Sequence, residues 1–236
     1  MENVKIVLEY DGTDFYGWQV QPGKRTVQGE LEKALLKIFG EKIKVIGSGR
    51  TDKGVHALGQ VASFFCPQSF DPEELKNALN GNIGRDIFVK ECELMPETFN
   101  ARFSAKSRVY RYQITTEKSV FTRRYFFYIK ETLNLENMEK AKEALLGWHN
   151  FENLSTKDSG FCELRRLEIQ REGKNIFIEV EADRFLRRMV RGIVGLLIAV
   201  GEGKIEPEDA EKIIEGQRRR LPIVPPFGLF LLEVKY

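Results

Sequence analysis

Apolar and polar residues alternate at the start of the chain. Val4, Ile6, Leu8 and Tyr10 are separated by mostly polar neighbours, the period of a half-buried strand. The period then lengthens. Val27, Leu31, Leu35 and Ile38 fall on one face of a helix that Thr26 can cap and Gly40 can end. Lys44–Gly47 and Gln60–Cys66 read as strands on either side of a glycine-rich loop. Asp71-Pro72-Glu73-Glu74 opens a second helix, with a capping aspartate, proline at the first position and acids in the first turn. Asp86–Leu94 closes this half as a strand.

The second half repeats the order with one extra helix. Arg108–Thr115 is a strand with which Tyr125–Lys130 can pair, and a helix runs from Leu135 to about Trp148. Leu164–Arg171 and Asn175–Ala182 form a hairpin across Glu172-Gly173-Lys174. Helices over Asp183–Val200 and Pro207–Glu215 and a strand over Gly228–Tyr236 complete the chain. The pattern predicts an α+β protein of two ferredoxin-like (βαββαβ) halves, residues 1–104 and 105–236, sharing a continuous antiparallel sheet with helices on one face.

Composition narrows the chemistry. A chain of 236 residues, 42% of them hydrophobic, buries roughly 70–75% of its unfolded surface and needs no disulfide or metal to fold. Its three cysteines form no CxxC pair, and His56 and His149 cannot assemble a zinc site, so no metal and a reducing cytoplasm are expected. Neither a signal peptide nor a membrane-spanning run is read. The net charge of +2 decides nothing, but its distribution does. Between Ala101 and Phe126 stand Arg102, Lys106, Arg108, Arg111, Lys118, Arg123 and Arg124, with Glu117 the only acid. That segregation suits a phosphate-rich partner or, equally, a solvated face.

Three groups of residues can carry chemistry. Gly47-Ser48-Gly49-Arg50-Thr51-Asp52-Lys53-Gly54-Val55-His56-Ala57 lies between two strands and matches neither a P-loop nor a serine-hydrolase elbow. It offers the Asp52 carboxylate on a tight loop, with the Arg50 guanidinium to keep it ionised, as a nucleophile requires. An ordinary turn in which Asp52 bonds local backbone is the plainer alternative, and His56 reads as a packing residue. Arg184, Arg187, Arg188 and Arg191 stand at helical contact spacing on one face, an anion site unless solvent screens them. Arg108, Tyr110 and Tyr112 share a strand face, suited to gripping phosphate and stacking on bases, or to packing with a wet hydroxyl.

Taken in order, the motifs resemble a known family along nearly the whole chain. They are Tyr10-Asp11-Gly12-Thr13-Asp14-Phe15-Tyr16-Gly17-Trp18-Gln19, Thr26-Val27-Gln28-Gly29 and Gly49–Ala57, then Phe99–Ala105, Arg108–Tyr112, Phe185–Arg191 and Gly228–Leu231. Together they are similar to the bacterial tRNA pseudouridine synthase A family. The resemblance implies Asp52 as nucleophile, Arg191 as the arginine pairing with it, Arg50 lining the loop and Tyr110 contacting substrate. It implies an active-site cleft between the halves and a homodimer that isomerises uridines 38–40 of the tRNA anticodon arm, without cofactor. Arg102, Arg108, Arg184, Arg187 and Arg188 are then candidate RNA contacts. Two rivals remain on the residues alone: a non-catalytic RNA-binding protein of the same fold, and a hydrolase or phosphotransferase using Asp52 and His56.

Overall fold

The computed structural model describes residues 1–130, 132–156, 160–216 and 221–236. They form a mixed α+β protein that divides into two compact units, Met1–Lys106 with Phe230–Tyr236, and Ser107–Leu229.

The first unit contains β1 (Glu2–Tyr10), α1 (Val27–Phe39), β2 (Ile46–Gly47), β3 (His56–Cys66), α2 (Pro72–Asn82) and β4 (Ile87–Met95). β1 is the central strand, antiparallel to β3 on one side and β4 on the other. β2 pairs antiparallel with the far side of β3, Ile46 opposite Ser63. Val4, Ile6, Leu8 and Tyr10 are buried, as their alternation requires, and Leu31 and Leu35 of α1 and Leu75 and Leu79 of α2 are buried with them. Each helix starts where its cap stands. The Thr26 hydroxyl accepts from the Gly29 N–H, and the Asp71 carboxylate accepts from Glu73 and Glu74. Gly40 ends α1 in the left-handed conformation (φ 76°) that favours glycine.

The second unit contains β5 (Ser107–Thr115), β6 (Phe127–Tyr128), α3 (Leu135–Glu143), β7 (Gly147–Asn150), β8 (Phe161–Glu172), β9 (Asn175–Ala182), α4 (Met189–Gly201) and α5 (Asp209–Ile214). β9 lies between β5 and β8, antiparallel to both, and β7 pairs with the outer side of β8. Tyr110, Tyr112 and Ile114 on β5 stand opposite Val180, Ile178 and Ile176 on β9, and all six are buried.

The last strand, β10 (Leu229–Lys235), groups with the first unit although its sequence position put it in the second half. It pairs with β3 in parallel, Phe230 opposite His56. β6 is also parallel to its partner β5, so the expected wholly antiparallel pairing is corrected at two places. Neither strand follows its partner through a tight hairpin, and a connection of about a dozen residues or more permits a parallel return.

Two helices differ from expectation. α3 ends at Glu143, because Gly147 takes φ 98° and Trp148 continues as β7 rather than as helix. The helix expected from Asp183 begins only at Met189. Arg188 adopts the left-handed conformation (φ 62°), and the Asp183 carboxylate accepts from the Glu163 and Arg184 N–H groups. A four-arginine helical face is therefore not formed. Arg184, Arg187 and Arg188 lie exposed in an irregular segment, which avoids stacking like charges at contact spacing. α4 itself is buried at every position except Arg191. Its glycines make this possible: a Cβ at Gly192 would strike the Leu154 carbonyl, and one at Gly195 the Pro222 carbonyl.

Replacing Thr26 by Ala should lower the unfolding free energy by about 1 kcal/mol, read from the urea midpoint at unchanged slope. A loss indistinguishable from zero would show that the cap adds nothing to α1.

Candidate active site

The glycine-rich loop between β2 and β3 is fixed by a buried polar network. Ser48 donates its N–H to the Val61 carbonyl (2.8 Å) and its hydroxyl to Gln60 Oε1 (2.7 Å). The Gln60 amide donates to the Gly49 carbonyl (3.2 Å) and towards the Tyr10 hydroxyl (3.4 Å). Tyr10 and Thr51 share a hydroxyl–hydroxyl bond of 2.8 Å. Burial pushes the Tyr10 phenol up to about 12, so it stays a neutral member of this network at physiological pH. The Val55 N–H closes a turn on the Asp52 carbonyl (3.1 Å), and Gly54 supplies φ 77°. Asp52 stands on this turn, half-buried.

The segment after β1 clamps the loop from outside. The Trp18 N–H donates to the Thr51 carbonyl (3.0 Å), and the Gly54 N–H to the Phe15 carbonyl (3.3 Å). This approach is closer than any side chain allows. A Cβ at Gly12 would overlap the Val55 carbonyl, one at Gly17 (φ 87°) would meet the Thr51 carbonyl, and one at Gly47 would enter the Trp18 indole. His56 belongs to the same clamp. It is 1% exposed, its Nδ1 accepts from the Gly12 N–H (3.0 Å), and its ring stacks on Phe230 at 4.6 Å. The Asp11 carboxylate also lies 3.1 Å from the same Nδ1, so the ring fastens the clamp through three neighbours, the packing role expected for it.

Arg50 is exposed on the loop, two residues from Asp52. The loop residue Lys53 belongs to a group that sequence reasoning missed. The Lys53 and Lys24 ammoniums lie 4.1 and 4.6 Å from the centre of the Tyr16 ring. The three residues are dispersed along the chain, and no spacing rule links them.

The second unit places the remaining candidates. Tyr110 is 8% exposed, with its ring edge-on to Phe185 at 5.1 Å. Arg191 donates from Nε to the Val224 carbonyl (2.6 Å), and its own carbonyl accepts from the Val224 N–H (3.4 Å), which fixes it to the segment before β10. Tyr112, by contrast, is a core residue. Its hydroxyl donates to the Pro225 carbonyl (2.9 Å), and burial pushes its pKa far above the ordinary phenol value. On β5, Arg111 pairs across strands with Glu179 of β9 at 2.6 Å, while Arg108 donates to the backbone carbonyl of Asp183 (2.8 Å). Arg102 stays exposed, with its guanidinium over the Phe103 ring at 5.5 Å.

The first unit thus carries a carboxylate on a braced turn with an arginine two residues before it, and the second a buried tyrosine on β5; among the described residues no group of three or more His, Cys, Asp or Glu side chains could hold a metal ion. Comparison with known proteins supplies the class. The family model described as tRNA pseudouridine synthase matches residues 6–104 and 141–236, most of the chain. This chain belongs to the tRNA pseudouridine synthase family. It is 45% identical over its whole length to the tRNA pseudouridine synthase A of Thermosipho melanesiensis, all of which is covered. Identity to the proteins of the same name from Fervidobacterium nodosum and Clostridium botulinum is 45% and 43%, again with full coverage of both chains. Among solved structures, the archaeal box H/ACA sRNP Nop10-Cbf5 complex superposes at a TM-score of 0.39 and 10% identity, covering 83% of this chain and 43% of that one. The Asp52 loop lies inside the first matched stretch, whereas Tyr110 lies between the two.

Gly17→Ala should reduce turnover by about 100-fold, because its Cβ would displace the Thr51 carbonyl and shift Asp52 by a fraction of an ångström to an ångström. Gly40→Ala carries a similar backbone strain, about 1 kcal/mol, but has nothing within 4 Å and should leave turnover unchanged. Equal effects of the two on turnover would mean that only global stability is at stake.

Proposed function

We propose that this protein isomerises uridine to pseudouridine at positions 38–40 of the tRNA anticodon arm, with Asp52 as nucleophile and without a cofactor. The observation that carries the reading is the Asp52 turn. It is the half-exposed carboxylate of a loop whose backbone is braced from both sides, as a pre-organised catalytic group requires. The reaction breaks the bond between ribose C1′ and uracil N1 and joins C1′ to C5. The C5 hydrogen leaves as a proton and N1 gains one. The base must turn, so the nucleotide leaves its stack at a cost of a few kcal/mol.

In this reading Asp52 acts at the ribose or the uracil ring, and Arg50 and Arg191 hold it in position. Tyr110 orients the extruded base, its ring angle set by Phe185. Arg102, Arg108, Arg184, Arg187 and Arg188 contact phosphates; the exposure of Arg102, Arg184, Arg187 and Arg188 supports this. The order β4-β1-β3-β2, antiparallel throughout and joined through α1 and α2, supports a ferredoxin-like first unit. β9 between β5 and β8, with α3 and α4, supports the same reading of the second. The protein acts as a homodimer in the cytoplasm, and no helix among the described residues is long and apolar enough to cross a membrane.

Release of tritium from C5-labelled uridine in tRNA tests the isomerisation directly. Asp52→Asn should abolish release while leaving tRNA affinity within a few-fold, since phosphates supply most of the binding. Parallel loss of affinity would make Asp52 structural, and no release from the unmodified protein would leave an RNA-binding protein. Tyr110→Phe should impair turnover less than Tyr110→Ala if ring contact matters more than the hydroxyl. The reverse order would give the phenol oxygen the main role.

A further inference from the structure

Tyr16, Lys24 and Lys53 make an arrangement that the catalytic reading does not use. Both ammoniums converge on one exposed ring, at 4.6 and 4.1 Å from its centre. The two charges therefore lie within about one Debye length of each other, about 10 Å at 0.1 M salt. Neither has a carboxylate partner within salt-bridge distance among the described residues. A phenol ring attracts a cation through its π face, but at an exposed site that attraction is weak and one ring cannot neutralise two charges. Lys53 also lies beside the phenol oxygen, and the two lysines together pull the Tyr16 pKa below its ordinary value. An anion placed between them would relieve both effects.

The cluster is held in place by backbone rather than by its own flexible side chains. The Tyr16 N–H donates to the Arg25 carbonyl (2.9 Å), and its carbonyl accepts from the Gln21 amide (3.0 Å). The Lys24 N–H donates to the Gln21 carbonyl (3.2 Å), closing the turn that carries it. Arg25, the next residue, is anchored by two bonds to Asp86 (2.5 and 2.8 Å) with its guanidinium over the Phe15 ring. Gly17 then packs on the Thr51 carbonyl, so the ring is tied to the loop that bears Asp52. Lys53 follows Asp52 directly, one Cα step of about 3.8 Å away.

We infer that Tyr16, Lys24 and Lys53 form a binding site for a single backbone phosphate of the RNA, the one flanking the nucleotide presented to Asp52. The site rests on the proposed reading of Asp52 as the catalytic carboxylate. A phosphate there would bridge the two ammoniums and accept from the phenol hydroxyl. It would fix the ribose of the target nucleotide, so that the base turns while the backbone does not.

The test is tRNA binding over a range of salt for wild type, Lys24→Gln, Lys53→Gln and the double variant. Each single variant should flatten the slope of log affinity against log salt by about 0.7, the value for one phosphate contact on a single strand. The double variant should flatten it by about the same amount, because both lysines serve one phosphate. In an anticodon stem-loop, one methylphosphonate beside the target uridine should weaken wild-type binding several-fold and leave Lys53→Gln binding unaffected. Unchanged slopes would overturn the site. So would a double variant with twice the single effect, which means two phosphates, or a methylphosphonate penalty that persists in Lys53→Gln. Tritium release by the wild type is scored separately. Its absence removes the isomerase reading, whereas the binding results alone decide the phosphate site.

Discussion

The structure of the first unit turns on a backbone-to-backbone approach that no side chain would permit. The segment from Tyr10 to Trp18 lies directly on the loop from Ser48 to Val55, with glycines at 12, 17 and 47 where the two surfaces meet. Hydrogen bonds from Trp18 to Thr51 and from Gly54 to Phe15 then join the two pieces of chain. The buried Ser48–Gln60–Tyr10–Thr51 network completes the brace from the sheet side. The backbone that carries the Asp52 carboxylate is therefore fixed from both sides.

That constraint explains why so much of the sequence around residues 10–19 is devoted to small, aromatic and hydrogen-bonding residues. Phe15 and Trp18 are buried, Tyr10 packs against both, and Asp11 accepts from Thr13 to start the turn between them. Tyr16 is the exception. It is 38% exposed, and it points its ring at two lysines instead of at the core. The same segment therefore braces the Asp52 loop with its inner residues and presents two lysines on the Tyr16 ring with its outer ones.

In the second unit the equivalent constraint is apolar. α4 is buried all round, which is the signature of a helix enclosed on every side, and Arg191 is its one residue left outside the core. Its hydrogen bond to Val224 aims the guanidinium by fixing its inner nitrogen. The exposed arginines 184, 187 and 188 belong to the approach to this helix and not to the helix itself.

Periodicity and caps were enough to place most elements, because a two-residue or 3.6-residue apolar pattern, a capping Thr26 or Asp71 and a terminating Gly40 act over a few neighbouring residues. The sequence likewise marked the Asp52 loop, since glycines flanking a carboxylate state a tight turn locally. Local reasoning failed where distant residues decide. The start of α4 depends on Asp183 bonding Glu163, twenty residues away, and on what the helix must bury. Arg111 reads as free positive charge until β9 brings Glu179 against it. The parallel pairing of β10 with β3 and the meeting of Tyr16, Lys24 and Lys53 are likewise invisible in the order of residues. Short-range steric and capping forces are written in neighbouring letters, whereas charge pairing and strand partnership depend on which distant segments burial brings together.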